Sequence, residues 1–482
     1  MTTLGESRTC DGVLLALHTH MRLRYLLAAS LLAACAADEG VEDGETDAFT
    51  SADGKTDGYD LTEAQALGVM RVASEATQAE LDGVLSARAS KAVMAYRAKN
   101  PTFDSLQELD AVPYIGPRAL DALLGLAEST GRYDEHALGR HDLSILVPLP
   151  ASGDLPWMAS MPARGGALLP KTVFDKIGRS VFNTVDDAAE YDALRIVGVR
   201  FDPCFTTSLT AACQPQIRVI FQTLAADRAS GFNDGAVHAL YNLSATDFAD
   251  ALAHLRALDA PQNRDYSPLG VSPVLKAQGM DGTYARGLAE ILAAYAGPST
   301  LARMTFMSRT DSRQSQWQLG GFHIKANAAT GFPAAGPIKI VGSTETLQTV
   351  SNEGFGGGIN YSVTPMIADS AGTAGLSAFS LRSLTATQRK AVAAWAQRQE
   401  SPLATVPDTT DCASCHIAGQ TTRTLVGIDP GLLSLDGGPR AVGGAETQGD
   451  NLRAFGYFGK DPMVSIRTAN ETAAVMRAVA KR

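Results

Sequence analysis

From residue 60 to 130 the chain sets Ala and Leu at helical intervals with few β-branched residues, which predicts a run of short helices. The pattern changes after residue 140. Leu143 to Val147, Leu194 to Phe201 and Ile217 to Leu224 are short, apolar and β-branched, and read as strands. Ser244 is placed to cap a helix that aligns Phe248, Leu252 and Leu255, and a second helix is expected over Tyr284 to Tyr295. Ala302 to Ser308 and Trp317 to Lys325, split by the polar Arg309 to Gln314, predict a β-hairpin, with Ile338 to Val341 as a further strand. Gly354-Phe355-Gly356-Gly357-Gly358 lacks the Lys-Ser/Thr ending of a phosphate loop and is expected to be a flexible connection. Beyond it, Thr385 and Gln388 make a capping box for a helix through Gln399 that buries Val392 and Trp395. Asn470 is expected to cap a last helix with Val475, Met476 and Val479 on one face.

These patterns predict a multidomain fold. A small all-α domain would occupy 60–135 and a central α+β domain 141–345. A Gly-rich connection would follow at 346–380, then a mainly α module at 381–482. With 482 residues, 45% of them hydrophobic, there is material for two or three cores. The net charge of −10 argues against a polyanion-binding role for the whole molecule. Residues 36–59 are acidic, with Asp38, Glu39, Glu42, Asp43, Glu45, Asp47, Asp53 and Asp57 against Lys55 alone. Such a segment buries too little apolar surface to order itself and suits a solvated tether.

Candidate chemistry is concentrated in Cys412-Ala413-Ser414-Cys415-His416. Two thiols three positions apart can each add to one haem vinyl group, and the histidine that follows is held under the iron. Zinc would need four ligands, and no second Cys/His pair lies nearby. A plain Cys412–Cys415 disulfide remains the alternative. Cys204 and Cys213 flank a Pro- and Thr-containing loop between two expected strands, a spacing that reads as a disulfide in an oxidising compartment. His238, His254 and His323 stand singly in the sequence and read as structural residues. Nothing outside the haem motif spells a catalytic triad, a metal triad or another cofactor, so an electron carrier is expected before an enzyme.

Three stretches resemble known families. Residues 1–20 read as upstream sequence. Met21, Arg22 and Arg24 then open an export signal that runs through the apolar Tyr25 to Ala34. Leu32-Ala33-Ala34-Cys35 resembles the lipobox of bacterial lipoproteins. That resemblance implies lipidation of Cys35 as the new N-terminus and a lipid-anchored place in the cell envelope; an ordinary cleaved signal is the alternative, and either puts the chain outside the cytoplasm.

Residues 76–120 resemble the helix-hairpin-helix module of competence-type DNA receptors, through Ala76-Thr77-Gln78-Ala79-Glu80-Leu81, Phe103-Asp104-Ser105-Leu106-Gln107-Glu108-Leu109 and Val112-Pro113-Tyr114-Ile115-Gly116. The first hairpin reads Val84-Leu85-Ser86 where the family has glycines, and Tyr114 replaces the first glycine of the second. With ten Asp/Glu against six Lys/Arg over 60–130, a protein contact is expected in preference to DNA.

The last fifth of the chain is similar to class I cytochromes c in its order of helix, attachment motif, methionine-bearing loop and closing helix. The resemblance implies one covalent haem c on Cys412 and Cys415, with His416 and Met463 as iron ligands. Phe455-Gly456-Tyr457-Phe458-Gly459 would wall the crevice, and Arg453 and Arg467 are candidates to pair the propionates. A site with both axial positions filled implies single-electron transfer to an extracytoplasmic redox protein. The alternative is a surface interaction or scaffold lipoprotein in which Cys412 and Cys415 form only a disulfide.

Overall fold

The computed structural model describes residues 59–103, 105–149, 155–178, 187–206, 209, 213–225, 231–311, 315–326, 333–354, 358–429, 432 and 451–480. The expected export signal, Cys35 and the acidic segment up to residue 58 lie outside them. Five helices come first: Glu63–Glu75, Gln78–Val84, Ala87–Arg97, Leu106–Ala111 and Pro117–Ser129. Thr62, Thr77, Ser86 and Ser105 cap the first four with side-chain acceptors, and a proline opens the fifth. Ahead of the fifth, Tyr114 takes a φ of 70°, the left-handed region that costs any residue with a Cβ. The backbone at 114 therefore keeps the conformation a glycine would adopt there.

The strands are β1 (Ser144–Leu146), β2 (Pro162–Ala163), β3 (Gly166–Ala167), β4 (Leu194–Asp202), β5 (Gln216–Thr223), β6 (Gly235–Asn242), β7 (Leu301–Asp311) and β8 (Ser315–Ala326). Further along come β9 (Pro333–Pro337), β10 (Leu347–Asn352), β11 (Tyr361–Thr364), β12 (Phe455–Phe458) and β13 (Asp461–Val464). One antiparallel sheet has the order β1-β4-β5-β6-β7-β8-β10-β11, with β9 also on β8; β2–β3 and β12–β13 are separate hairpins.

Several expectations need correction. β6 is absent from the sequence reading because its buried positions run on with little alternation, so the two-residue period that marks a half-exposed strand is lost. The added strand falls at Pro333–Pro337 rather than Ile338 to Val341. The Gly-rich stretch lies between β10 and β11, which pair with each other in one sheet, so it does not separate two domains. Its ends are fixed by Asn352, whose Oδ1 accepts from the amides of Gly354 (3.1 Å) and Asn360 (2.8 Å). Asn470 lies inside the closing helix, Ile466–Ala480, and Ser465 supplies the side-chain acceptor at its start, taking the Thr468 amide at 3.1 Å.

The sheet register sorts side chains onto two faces. Val219, Phe221, Val237, Ala239 and Tyr241 join the buried cluster that contains Phe248, Leu252 and Leu255 of helix Ala245–Ala257 and Leu288 and Ile291 of helix Thr283–Tyr295. The opposite face is divided. On β4 to β6 it carries Arg200, Arg218, Gln222 and His238; on β7 to β10 it carries Met307, Trp317, Leu319 and Val350. Its apolar half joins Val392 and Trp395 of helix Ala386–Glu400 with Ala413 and Ile417 of helix Cys412–Ile428 in a second cluster. Its charged half meets the closing helix, where Glu471 accepts from Arg200 (2.9 Å) and Arg218 (2.7 Å). Burial works against ionisation of Glu471, but those two guanidinium groups outweigh it and hold the carboxyl well below its usual range.

The three regions expected as domains share apolar contacts. A single cluster runs from Leu61 through the sheet to Val479, and the described residues belong to one compact unit. The fold combines helices with an antiparallel sheet.

Candidate functional site

The Cys412–Ile428 helix begins at Asp411, whose carboxylate accepts from the Ser414 amide at 3.0 Å and from Ser414 Oγ at 2.5 Å. Gln348 of β10, fully buried, ties this first turn to the sheet. Its Nε2 donates to Asp411 at 2.9 Å and its Oε1 accepts from the Ala413 amide at 2.8 Å. Ala413 and Ile417 fill the apolar cluster over β8 and β10, which fixes the rotation of the helix. Positions 412, 415 and 416 then share a different face.

His416 has a defined tautomer. Its Nδ1 lies 2.7 Å from the Leu452 carbonyl oxygen, and a carbonyl can only accept, so Nδ1 carries the proton and Nε2 presents a lone pair. Among the described residues Nε2 has no hydrogen-bond partner. A ligating histidine is held in this way, with one ring nitrogen spent on a backbone carbonyl and the other left for an electrophile. Burial lowers the pKa of His416 despite the hydrogen bond to Leu452, so the ring is neutral at pH 7.

Cys412 and Cys415 are not bonded to each other, whereas Cys204 and Cys213 form a disulfide with their Cα atoms 5.6 Å apart. Burial pushes the Cys412 thiol up to about 12 and raises that of Cys415 as well, so both sulfurs keep their protons. Among the described residues no three His, Cys, Asp or Glu side chains converge as a metal-ion site.

Arg453 follows Leu452 and is buried, its side chain 1% exposed. One nitrogen is held by Asp234 at the approach to β6, and the same carboxylate accepts from Trp317 Nε1 at 2.9 Å. Nε and Nη1 of Arg453 find no acceptor among the described residues. Arg467 reaches the carbonyls of Gln399 (2.9 Å) and Ser401 (2.8 Å) through Nη1 and that of Thr405 (2.7 Å) through Nη2.

His238 reads from the sequence as a structural residue. It points from β6 toward the C-terminal elements, and its ring makes no hydrogen bond among the described residues. Burial, then the nearby His416 and the arginines 200, 453 and 218, push its pKa down to about 3. His238, Cys415 and His416 are each half-buried. On the other side of the motif, beside Cys412, the described residues leave a hollow of about 20 Å³ bordered by Arg303, Thr305 and Gly321. A roomier cleft between helix Glu63–Glu75 and the closing helix, lined by Leu67, Met70 and Met476, shares no residue with the motif helix.

Met463 is buried in β13 opposite Gly456. A Cβ on Gly456 would meet Gln222 of β5 and Val197 of β4, so this part of the hairpin lies against the β4–β5 side of the sheet. Gln222 fixes it there, its Nε2 donating to Tyr457 O at 2.9 Å and its Oε1 accepting from Tyr457 N at 2.6 Å. His254 bonds Tyr295 Oη through Nδ1 at 3.0 Å, and His323 is exposed on β8; neither approaches the motif.

The site thus holds two protonated, unbonded thiols one helical turn apart, an imidazole with a free Nε2, and a buried arginine whose Nε and Nη1 lack acceptors among the described residues. Gln348 and Asp234 hold its surroundings, and no local motif marks them, because they lie 63 and 219 residues before the groups they bind. No family model matches the chain, and neither the curated proteins nor the solved structures include a match.

Proposed function

We propose that this chain is a c-type haem protein that transfers single electrons outside the cytoplasm, tethered to the membrane by a lipid on Cys35. The observation that carries the reading is the Nδ1–H bond of His416 to Leu452, which leaves Nε2 free on the same helix face as two unbonded thiols. A haem bound here would supply an iron that gains and loses one electron. Each thiol, Cys412 and Cys415, would add across one vinyl group: the S–H bond breaks, a C–S bond forms, and the hydrogen goes to the other vinyl carbon. His416 would bind the iron through Nε2, its ring held by Leu452.

Arg453 would offer its open donors to an anionic propionate, which would also relieve the cost of burying unpaired N–H groups. The Cys204–Cys213 disulfide suits the oxidising compartment that export implies. In such a compartment the unbonded state of Cys412 and Cys415 favours attachment of a group over a plain disulfide. The partner on this reading is another extracytoplasmic redox protein. The roles of the N-terminal helices and the large sheet would be to bury and hold the haem region.

Expression with haem-maturation machinery tests the proposal. The expected product carries haem through denaturing electrophoresis and shows the corresponding mass increase, and Cys412→Ala/Cys415→Ala loses both. A soluble, folded parent without covalent haem under those conditions would end this reading.

A further inference from the structure

We infer that the cleft between helix Glu63–Glu75 and the closing helix, Ile466–Ala480, binds a small amphipathic carboxylate. Its ligand would have an apolar body of about six to eight carbons and one anionic head. The site is independent of the haem reading, since none of its lining residues belongs to the motif helix.

The walls come from opposite ends of the chain. Leu67 and Met70 line the cleft from the first helix, Leu138 and Leu269 from loops beside it, and Met476 from the closing helix. All five are buried. Thr472, on the same wall, bonds Ser144 of β1 at 2.7 Å and so holds the closing helix to the sheet beside the cleft. The hollow measures about 160 Å³, whereas close-packed interiors leave few voids larger than a water molecule. Apolar cavities of about 150 Å³ take up a benzene-sized body. The two methionines add adaptability, because an unbranched thioether reshapes around its occupant with little strain.

The charges around the cleft set the sign of the head group. Arg71, Arg132, Arg140, Arg256 and Arg477 line it, against the carboxylates of Glu75 and Asp134. Three of these arginines are already held: Arg71 by Glu75 at 3.2 Å, Arg132 by Glu80 at 2.9 Å and Arg140 by Glu63 at 3.0 Å. Arg140 also lies 4.1 Å from the centre of the Tyr266 ring. Arg256 differs. It stands in the last turn of helix Ala245–Ala257, is exposed, and makes no ion pair among the described residues. Its guanidinium is the one left to receive a carboxylate, whose two oxygens match that planar fork. Arg71 can join it, because a half-exposed pair four residues apart on a helix holds its partners only weakly. A cationic head would be repelled here, and an uncharged one would leave Arg256 unanswered. An apolar hollow with a few orienting polar groups at its edge is the usual form of a small-molecule site.

Straight-chain and aromatic carboxylates share this chemistry, so the test has an arm for each. Octanoate and benzoate are titrated into the full chain by isothermal calorimetry. Saturable one-to-one binding is expected for at least one, and the tighter of the two tells whether a chain or a ring fills the hollow. The matching alcohols, octanol and benzyl alcohol, should bind more weakly, and the matching amines not at all. Arg256→Gln should weaken the bound carboxylate about tenfold and leave its alcohol unchanged. Ala473→Phe sets a ring into the cleft and should abolish binding of both. No saturable binding of either carboxylate would overturn the inference, as would an alcohol or amine that binds as tightly as its carboxylate. Carboxylate binding that both variants leave unchanged would place the ligand elsewhere and overturn it too. Arg256 is exposed, so its variant reads the site even where Ala473→Phe fails to fold.

Discussion

The carboxylate of Asp234 receives the guanidinium of Arg453, 219 residues further along the chain. The pair joins the approach to β6 to the segment whose Leu452 carbonyl holds His416, so one buried ion pair aligns both sides of the proposed site. Removing Asp234 would leave a buried, uncompensated cation. Asp234→Ala is therefore expected to lose about 3–5 kcal/mol in chemical denaturation, whereas an exposed pair would lose under about 1. A loss in the exposed range would mean that Arg453 has another anchor.

Gly198 on β4 marks where the β12–β13 hairpin touches the sheet. A Cβ there would stand 2.8 Å from two ring carbons of Phe455. Gly198→Ala should cost about 1–3 kcal/mol through overpacking. In a double-mutant cycle with Phe455→Leu the two costs should fail to add, because the smaller side chain makes room for the methyl group. Additive costs would place the clash elsewhere.

Glu400 gives the fold a pH dependence of definite sign. Burial raises its carboxyl to about 7, against the hydrogen bond from Thr422 at 2.8 Å. Below the ordinary carboxyl range both folded and unfolded chains hold this proton; between there and pH 7 only the folded chain does. Unfolding then releases a proton, so stability falls as pH rises through that window, by about 3 kcal/mol at most, and levels off above it. Glu400→Gln keeps an acceptor for Thr422 without the charge. The variant should lack this slope and exceed the parent in stability at pH 8; an unchanged slope would assign the effect to another group.

The Cys204–Cys213 disulfide closes a loop between β4 and β5, with nine residues of sequence separation. Loop closure on that scale contributes about 2.5 kcal/mol through the unfolded chain. Cys204→Ser/Cys213→Ser should lower the denaturation midpoint accordingly and leave the proposed haem attachment untouched. Loss of haem from this variant would link the loop to the site, a link that no described contact makes.

Tyr114 offers a gain. It holds a φ of 70° at 61% exposure, where a side chain gives little packing in return. Tyr114→Gly should be neutral or raise stability by about 0.5–1 kcal/mol, since relief of the left-handed strain is set against greater freedom in the unfolded chain. A clear loss would show that the exposed ring makes a contact of its own.

Local chemistry was legible in the sequence. Ser244, Thr385 with Gln388, and the apolar spacing behind them announced their helices, because a cap and a helical face are encoded within a few residues. The Cys412-to-His416 motif and the Cys204–Cys213 spacing were legible for the same reason. What the sequence could not give was the other half of the site. β6 hid because its burial alternates little, and the Gly-rich stretch between two paired strands looked like a linker. A strand's neighbours are chosen by hydrogen bonding across the sheet, and no local periodicity records them. Only the folded sheet brings Gln348 of β10 to the first turn of the motif helix and Leu452 to the His416 ring, because those contacts join segments far apart in the chain.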